Sequence, residues 1–161
     1  TKIFLSEFDL SLTIRIMWKI KFERMSYMCE NLLIKDFKTL KVWQKANALE
    51  QEIGELVKEF PNFEQYRLVD QLVRAVRSIG ANIAEGNTQL FVKKEIVHAN
   101  IALGSAGEVR NHLLTAYQNG YIDREQYDAL DKKLIEIIKM LFGYIKRLKP
   151  DLDNKSDISE S

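Results

Sequence analysis

Apolar side chains recur along this chain with two different periods, and the change of period divides it. Up to about residue 30 the alternation is strict. Phe8, Leu10, Leu12, Ile14, Ile16, Trp18, Ile20 and Phe22 fall on one side of an extended chain. Asp9, Ser11, Thr13, Arg15, Lys19 and Lys21 fall on the other. A period of two is that of a strand. A lone strand cannot pair its backbone, so the pattern predicts a partner strand or a second chain. The other expectation for this N-terminal extension, residues 1–30, is a translated upstream leader with the native start at Met25 or Met28.

From Phe37 the period becomes helical. Val42, Ala46, Leu49, Ile53, Leu56 and Phe60 are three or four apart and predict a helix over residues 38–59. Pro61 stops it by disfavouring helical geometry at Phe60. A second helix is predicted over residues 63–85, with Gly86 as a left-handed residue past its end. Thr88 is placed to cap a third helix that reaches Gln118. The turn Asn119–Asp123 follows, with Asp123 as the next N-cap. The fourth helix carries Tyr127, Leu130, Leu134, Ile137, Leu141, Ile145 and Leu148 on one stripe and ends before Pro150. Four amphipathic helices of roughly 22–27 residues, joined by short loops, predict an all-α fold. The expected form is an antiparallel up-down-up-down four-helix bundle over residues 36–149. Trp43 is read as core or interface.

The second helix has a polar side as well as an apolar one. Leu68, Leu72, Val76, Ile79 and Ile83 cluster together, whereas Arg74, Arg77, Ser78, Asn82 and Glu85 lie away from them. One reading is a solvated face with pairs such as Asp70 and Arg74. Two glycines in the third helix point elsewhere. Gly104 and Gly107 each cost about 1 kcal/mol relative to alanine in a helix interior. Close packing by a neighbouring backbone would offset that cost. Glu108 would then be partly buried and would need a donor such as Arg74 or Arg77. Arg74, Arg77, Ser78, Asn82, Glu85 and Glu108 are therefore read as a polar network between helices or between subunits. A second packing face on a helix that already buries its first implies a homo-oligomer.

Composition narrows the chemistry. The chain has 161 residues, 46% hydrophobic and 29% charged, with two prolines and seven glycines. That fits one soluble domain built of long helices. The formal net charge of +1 gives no global basic signature, so any anion-binding surface is a local patch. Lys38, Lys41 and Lys45 form such a stripe on the first helix, and Lys93 and Lys94 open the third. Lys132, Lys133, Lys139, Lys146, Arg147 and Lys149 make the fourth helix another basic surface, diluted by Asp128, Asp131 and Glu136. Residues 150–161 read as a disordered acidic tail. Cys29 is alone, so it makes no intramolecular disulfide and no cysteine-rich zinc site. A cytoplasmic location is compatible with that lone cysteine, and no uninterrupted apolar run long enough for a transmembrane helix occurs. His98 and His112 are about 21 Å apart along a helix and cannot share a metal within one subunit. Glu95 and His98 have the spacing of a di-iron helix, but the second such pair is absent. No catalytic motif, metal site or cofactor site is read, and the expectation is a protein that is not an enzyme.

Four segments in register carry a resemblance. They are "DFKTLKVWQKANAL", "FPNFEQYRLVDQLVRAVRSIGANIAEGN", "IALGSAGEVRNHLL" and "AYQNGYID". Over about residues 36–148 the chain resembles the four-helix bundle proteins encoded within intervening sequences of bacterial 23S ribosomal RNA. The resemblance implies a left-handed antiparallel bundle, a homopentameric barrel, binding of RNA or DNA, and no catalytic activity. A related fold, the accessory protein of diversity-generating retroelements, implies a reverse transcriptase as another partner. The chain departs from the family where Gly80 replaces a usual proline. It departs again where Asn87, Thr88, Gln89 and Leu90 stand in place of a basic residue, with Lys93 and Lys94 following.

Overall fold

The computed structural model describes Arg15, residues 17–23 and residues 35–150. The chain divides into two compact units, Thr1–Ile34 and Lys35–Ser161. The described residues of the first unit are helical, which corrects the strand reading of that stretch. A helix satisfies its backbone donors within itself, whereas a strand would need a neighbour to do so. The remaining residues of the extension, and the acidic tail beyond Pro150, lie outside the described residues.

The second unit holds four long helices: α1 (Lys41–Leu56), α2 (Asp70–Asn87), α3 (Val92–Gln118) and α4 (Arg124–Leu148). Among the described residues there is no strand. A 3-10 turn at Phe37–Thr39 leads into α1, and the Asp36 carboxylate accepts from the Lys38 backbone N–H at 3.0 Å. Another such turn at Val57–Glu59 tightens the end of α1 before Pro61. The expected start of the second helix at Phe63 is instead a 3-10 turn, Asn62–Glu64, followed by a wide π turn at Gln65–Val69. There Glu64 accepts from the Leu68 backbone N–H at 3.3 Å.

The ends of α2 and α3 differ from expectation. Gly86 lies inside α2, and the positive-φ glycine among the described residues is Gly120 at φ 74. A Cβ built on Gly86 would sit 2.9 Å from His98 Cβ and 3.2 Å from the Glu95 carbonyl oxygen. Gly86 is thus required by the approach of α3. Thr88 closes α2, donating its hydroxyl to the Glu85 carbonyl at 2.8 Å, and the residue before α3 is Phe91. At α4, Asp123 forms a reciprocal capping box: its carboxylate accepts from the Gln126 N–H at 2.8 Å, and Gln126 accepts from the Asp123 N–H at 2.9 Å.

α1 packs on α2 and α4, and α3 packs on the same two helices. The contacts between neighbours run in opposite senses along the chain. Trp43 meets Gly80, and Glu50 meets Arg77. Lys45 meets Glu136, and Glu52 meets Lys133. Ser78 meets Ser105, and Gly86 meets Glu95. Glu95 meets Tyr144, and Arg110 meets Asp131. The space between the helices is filled by Leu49, Ile53, Leu72, Ile79, Leu113, Leu134, Ile137 and Leu141, all fully buried. Each such side chain contributes about 1.5–3 kcal/mol by leaving water. No described helix is long and apolar enough to cross a membrane.

Candidate functional site

The polar stripe of α2 meets a matching stripe of α3. Ser78, Asn82 and Glu85 are four and three residues apart, which places them on one helical face. The Ser78 and Ser105 hydroxyls lie 2.8 Å apart. Asn82 donates to the Ser78 carbonyl at 2.8 Å and to its hydroxyl at 3.1 Å. The Asn82 carbonyl oxygen faces His98 Nδ1 at 3.3 Å, and His98 Nε2 lies 3.7 Å from Glu85. Ser105 and His98 did not stand out in the sequence reading of this network. Their spacing of seven along α3 is the signal that could have found them.

The other expected members lie elsewhere. Arg74 stands 3.7 Å from Asp70 on its own helix, and Arg77 donates to Glu50 of α1 at 3.3 Å. Within the protomer the Glu108 side chain is 52% exposed, 3.6 Å from His112. A Cβ on Gly104 or Gly107 would meet nothing within 4 Å, so none of the described residues packs closely on either glycine.

A second polar cluster is more deeply enclosed. Glu95 is only 2% exposed. Tyr144 Oη donates to its Oε1, and Lys35 Nζ stands 2.7 Å from its Oε2. Burial first, and the Glu95 carboxylate second, push the Tyr144 phenol up to about 12. Asn87 is buried beside this pair, and its side-chain oxygen has no hydrogen-bond partner among the described residues. The sequence signal for the cluster is the position of Tyr144, three residues after Leu141 on the core stripe of α4. A tyrosine there must bury its hydroxyl and find it a partner. Among the described residues, no group of three or more His, Cys, Asp or Glu is arranged to hold a metal ion.

The lysines singled out by the sequence are all exposed: Lys38, Lys41, Lys45, Lys93 and Lys94. They are not equivalent. Lys45 pairs with Glu136 at 3.0 Å. Lys94 Nζ lies 6.0 Å from the centroid of the Phe91 ring. Lys41 lines a groove of about 430 Å³ between α1 and α4, opposite Arg147. On α3, Val97, Ile101 and Leu114 are exposed apolar side chains. Val97, Ile101, Gly104 and Glu108 share one stripe at about 100° per residue.

Comparison with known proteins bears on this arrangement. No curated protein matches the chain. A crystal structure of a protein of unknown function from the S23 ribosomal protein family, from Bacteroides thetaiotaomicron, is 33% identical, with a TM-score of 0.61. The match covers 65% of this chain and 95% of that one. The model of the 23S rRNA-intervening sequence protein family matches residues 38–143, which span α1, α2, α3 and most of α4. With that extent of match joined to the shared helical fold, the chain belongs to the 23S rRNA-intervening sequence protein family.

Proposed function

We propose that the chain is an antiparallel up-down-up-down four-helix bundle that assembles with copies of itself and binds nucleic acid without catalysing a reaction. The observation that carries the assembly is the outer stripe of α3. Val97 and Ile101 are exposed beside Gly104 and Gly107, where open space lies over the backbone. Two mid-helix glycines with no close neighbour among the described residues are accounted for by the approach of a second copy. Five copies is the number that the family resemblance suggests. The exposed lysines at the starts of α1 and α3 support nucleic-acid binding, since a patch repeated around a ring gains avidity even at a net charge of +1. A cytoplasmic location belongs to the same reading.

Light scattering coupled to size exclusion, with and without a structured RNA fragment, tests both halves. The expected result is a closed oligomer that shifts to higher mass with RNA, the shift weakening as salt rises. A well-folded monomer at micromolar concentration would overturn the assembly. An oligomer that ignores RNA at low salt would favour a second reading, in which the exposed lysine stripes recognise polypeptide. In that reading the protein is an adaptor for a polypeptide such as a reverse transcriptase.

A further inference from the structure

The charges of α1 and α4 are sorted by end. Residues 35–45 contain four lysines and one aspartate, and residues 139–149 contain four cations and no carboxylate. Residues 50–59 contain four glutamates and one lysine, and residues 123–131 contain four carboxylates and one arginine. The two helices run side by side in opposite senses, so like charge meets like charge at both ends. At one end Thr39, Lys41, Met140, Gly143, Tyr144 and Arg147 line the groove between them. At the other, Glu52, Glu55, Glu59, Asp123 and Glu125 line a cleft of about 550 Å³.

This sorting works against the fold. On α4 the carboxylates sit at the helix N-terminus and the cations at the C-terminus, as the helix dipole favours. On α1 the order is reversed, with lysines at the positive end of the dipole and glutamates at the negative end. Exchanging the charges at the two ends of α1 would suit its own dipole and pair those ends with α4, although the mid-helix pairs Lys45–Glu136 and Glu52–Lys133 already join the two helices. The reversal therefore calls for something outside the chain that rewards a concentrated cationic end.

The groove at that end is built to receive it. Gly143 presents no side chain, and a Cβ there would meet nothing within 4 Å, so the floor stays open. The Arg147 guanidinium lies 5.4 Å from the centroid of the Tyr144 ring, an arrangement that holds it by cation–π attraction. The ring is fixed in turn by its hydroxyl on buried Glu95. Lys45 is occupied by Glu136, whereas among the described residues neither Lys41 nor Arg147 forms an ion pair. The geometry points to the α1–α4 groove as the seat of a nucleic-acid phosphate backbone, gripped by Lys41 and Arg147, with the acidic cleft at the far end keeping the polyanion to one end of each protomer. This rests on the nucleic-acid reading above and gives it a place and an orientation. Contacts of this kind position a strand without reading its sequence.

The test is fluorescence anisotropy of a labelled RNA hairpin across a salt series. The groove variant is Lys41→Glu with Arg147→Glu. The control is Lys58→Glu with Arg124→Glu, which makes the same change in net charge at the acidic end. The groove variant is expected to weaken binding roughly tenfold or more and to reduce the salt slope by about 1.5–2. The control is expected to change affinity by no more than about twofold, since a charge at the far end lies beyond a Debye length. Equal losses in both would mean that net charge alone matters and would overturn the groove. Wild-type affinity in the groove variant would overturn the groove and leave the nucleic-acid reading standing. A wild-type protein that captures polyglutamate but no RNA at low salt would end both. Circular dichroism and light scattering check that each variant keeps its fold and mass. If the charge reversal unfolds the chain, Lys41→Gln with Arg147→Gln carries the same comparison with smaller losses.

Discussion

Replacing Tyr144 by phenylalanine removes a single hydroxyl from an enclosed site and leaves the ring in place. The residue is 8% exposed and its hydroxyl donates to Glu95, itself 2% exposed. After the substitution, Oε1 of that carboxylate loses its donor while Oε2 keeps Lys35 at 2.7 Å. Taking one partner from a buried charged acceptor costs about 1.5–3 kcal/mol. In a domain of this size, each kcal/mol moves the thermal midpoint by about 2–8 °C, so a fall of roughly 3–24 °C is expected. Alkaline pH provides an independent check. The phenol is raised from 10 to about 12 in the folded chain. Its contribution is complete below pH 10 and is lost as pH rises towards about 12. At about pH 11 the wild type has lost about 1 kcal/mol that the phenylalanine variant never had, so the gap between them narrows. Urea denaturation of both proteins at neutral and alkaline pH measures the two effects together. Equal stabilities at neutral pH, or a gap that stays constant with pH, would refute the account of this cluster.

Two glycine variants have opposite expected signs. Gly86→Ala forces α2 and α3 apart against contacts of 2.9 and 3.2 Å, and overpacking of this kind costs about 1–3 kcal/mol in chemical denaturation. A variant as stable as wild type would show that the helices part without cost. Gly104→Ala combined with Gly107→Ala meets open space among the described residues, and is expected to stabilise the dissociated chain by about 2 kcal/mol while weakening self-association. Higher stability with unchanged mass in light scattering would remove α3 from the subunit interface.

The apolar stripes of α1, α2 and α4 were legible because each is confined to one face. Val42, Ala46, Leu49 and Ile53 are buried as their spacing predicts, and so are Leu130, Leu134, Ile137 and Leu141. α3 was less legible because its apolar residues go around it: Val109 and Leu113 are buried, whereas Val97 and Ile101 are exposed. Gly86 shows a second limit. A glycine near a helix end fits a left-handed terminus and a close helix crossing equally well, and only the position of His98 separates them. Partner choice was the least legible part of the site. Ser78 and Asn82 could be placed on a polar face, but Ser105 and His98 are distant in sequence and reach them only through the packing of α2 on α3. Glu95 was hidden for the same reason, because its partners Lys35 and Tyr144 come from opposite ends of the domain.

The π turn at Gln65–Val69 has a consequence for how chains of this kind can vary in length. A π turn holds one residue more than an α-helix needs for the same advance. Tyr66 and Arg67 within it are exposed, whereas Leu68 and Val69 are buried. Loss of either exposed residue turns the bulge into ordinary helix and leaves Asp70 onwards in phase with the core. A deletion beyond Asp70 instead rotates the rest of α2 by about 100° and carries Ile79 and Ile83 into water. Single-residue length differences among relatives should therefore gather at the bulge, in a helix that elsewhere accepts none.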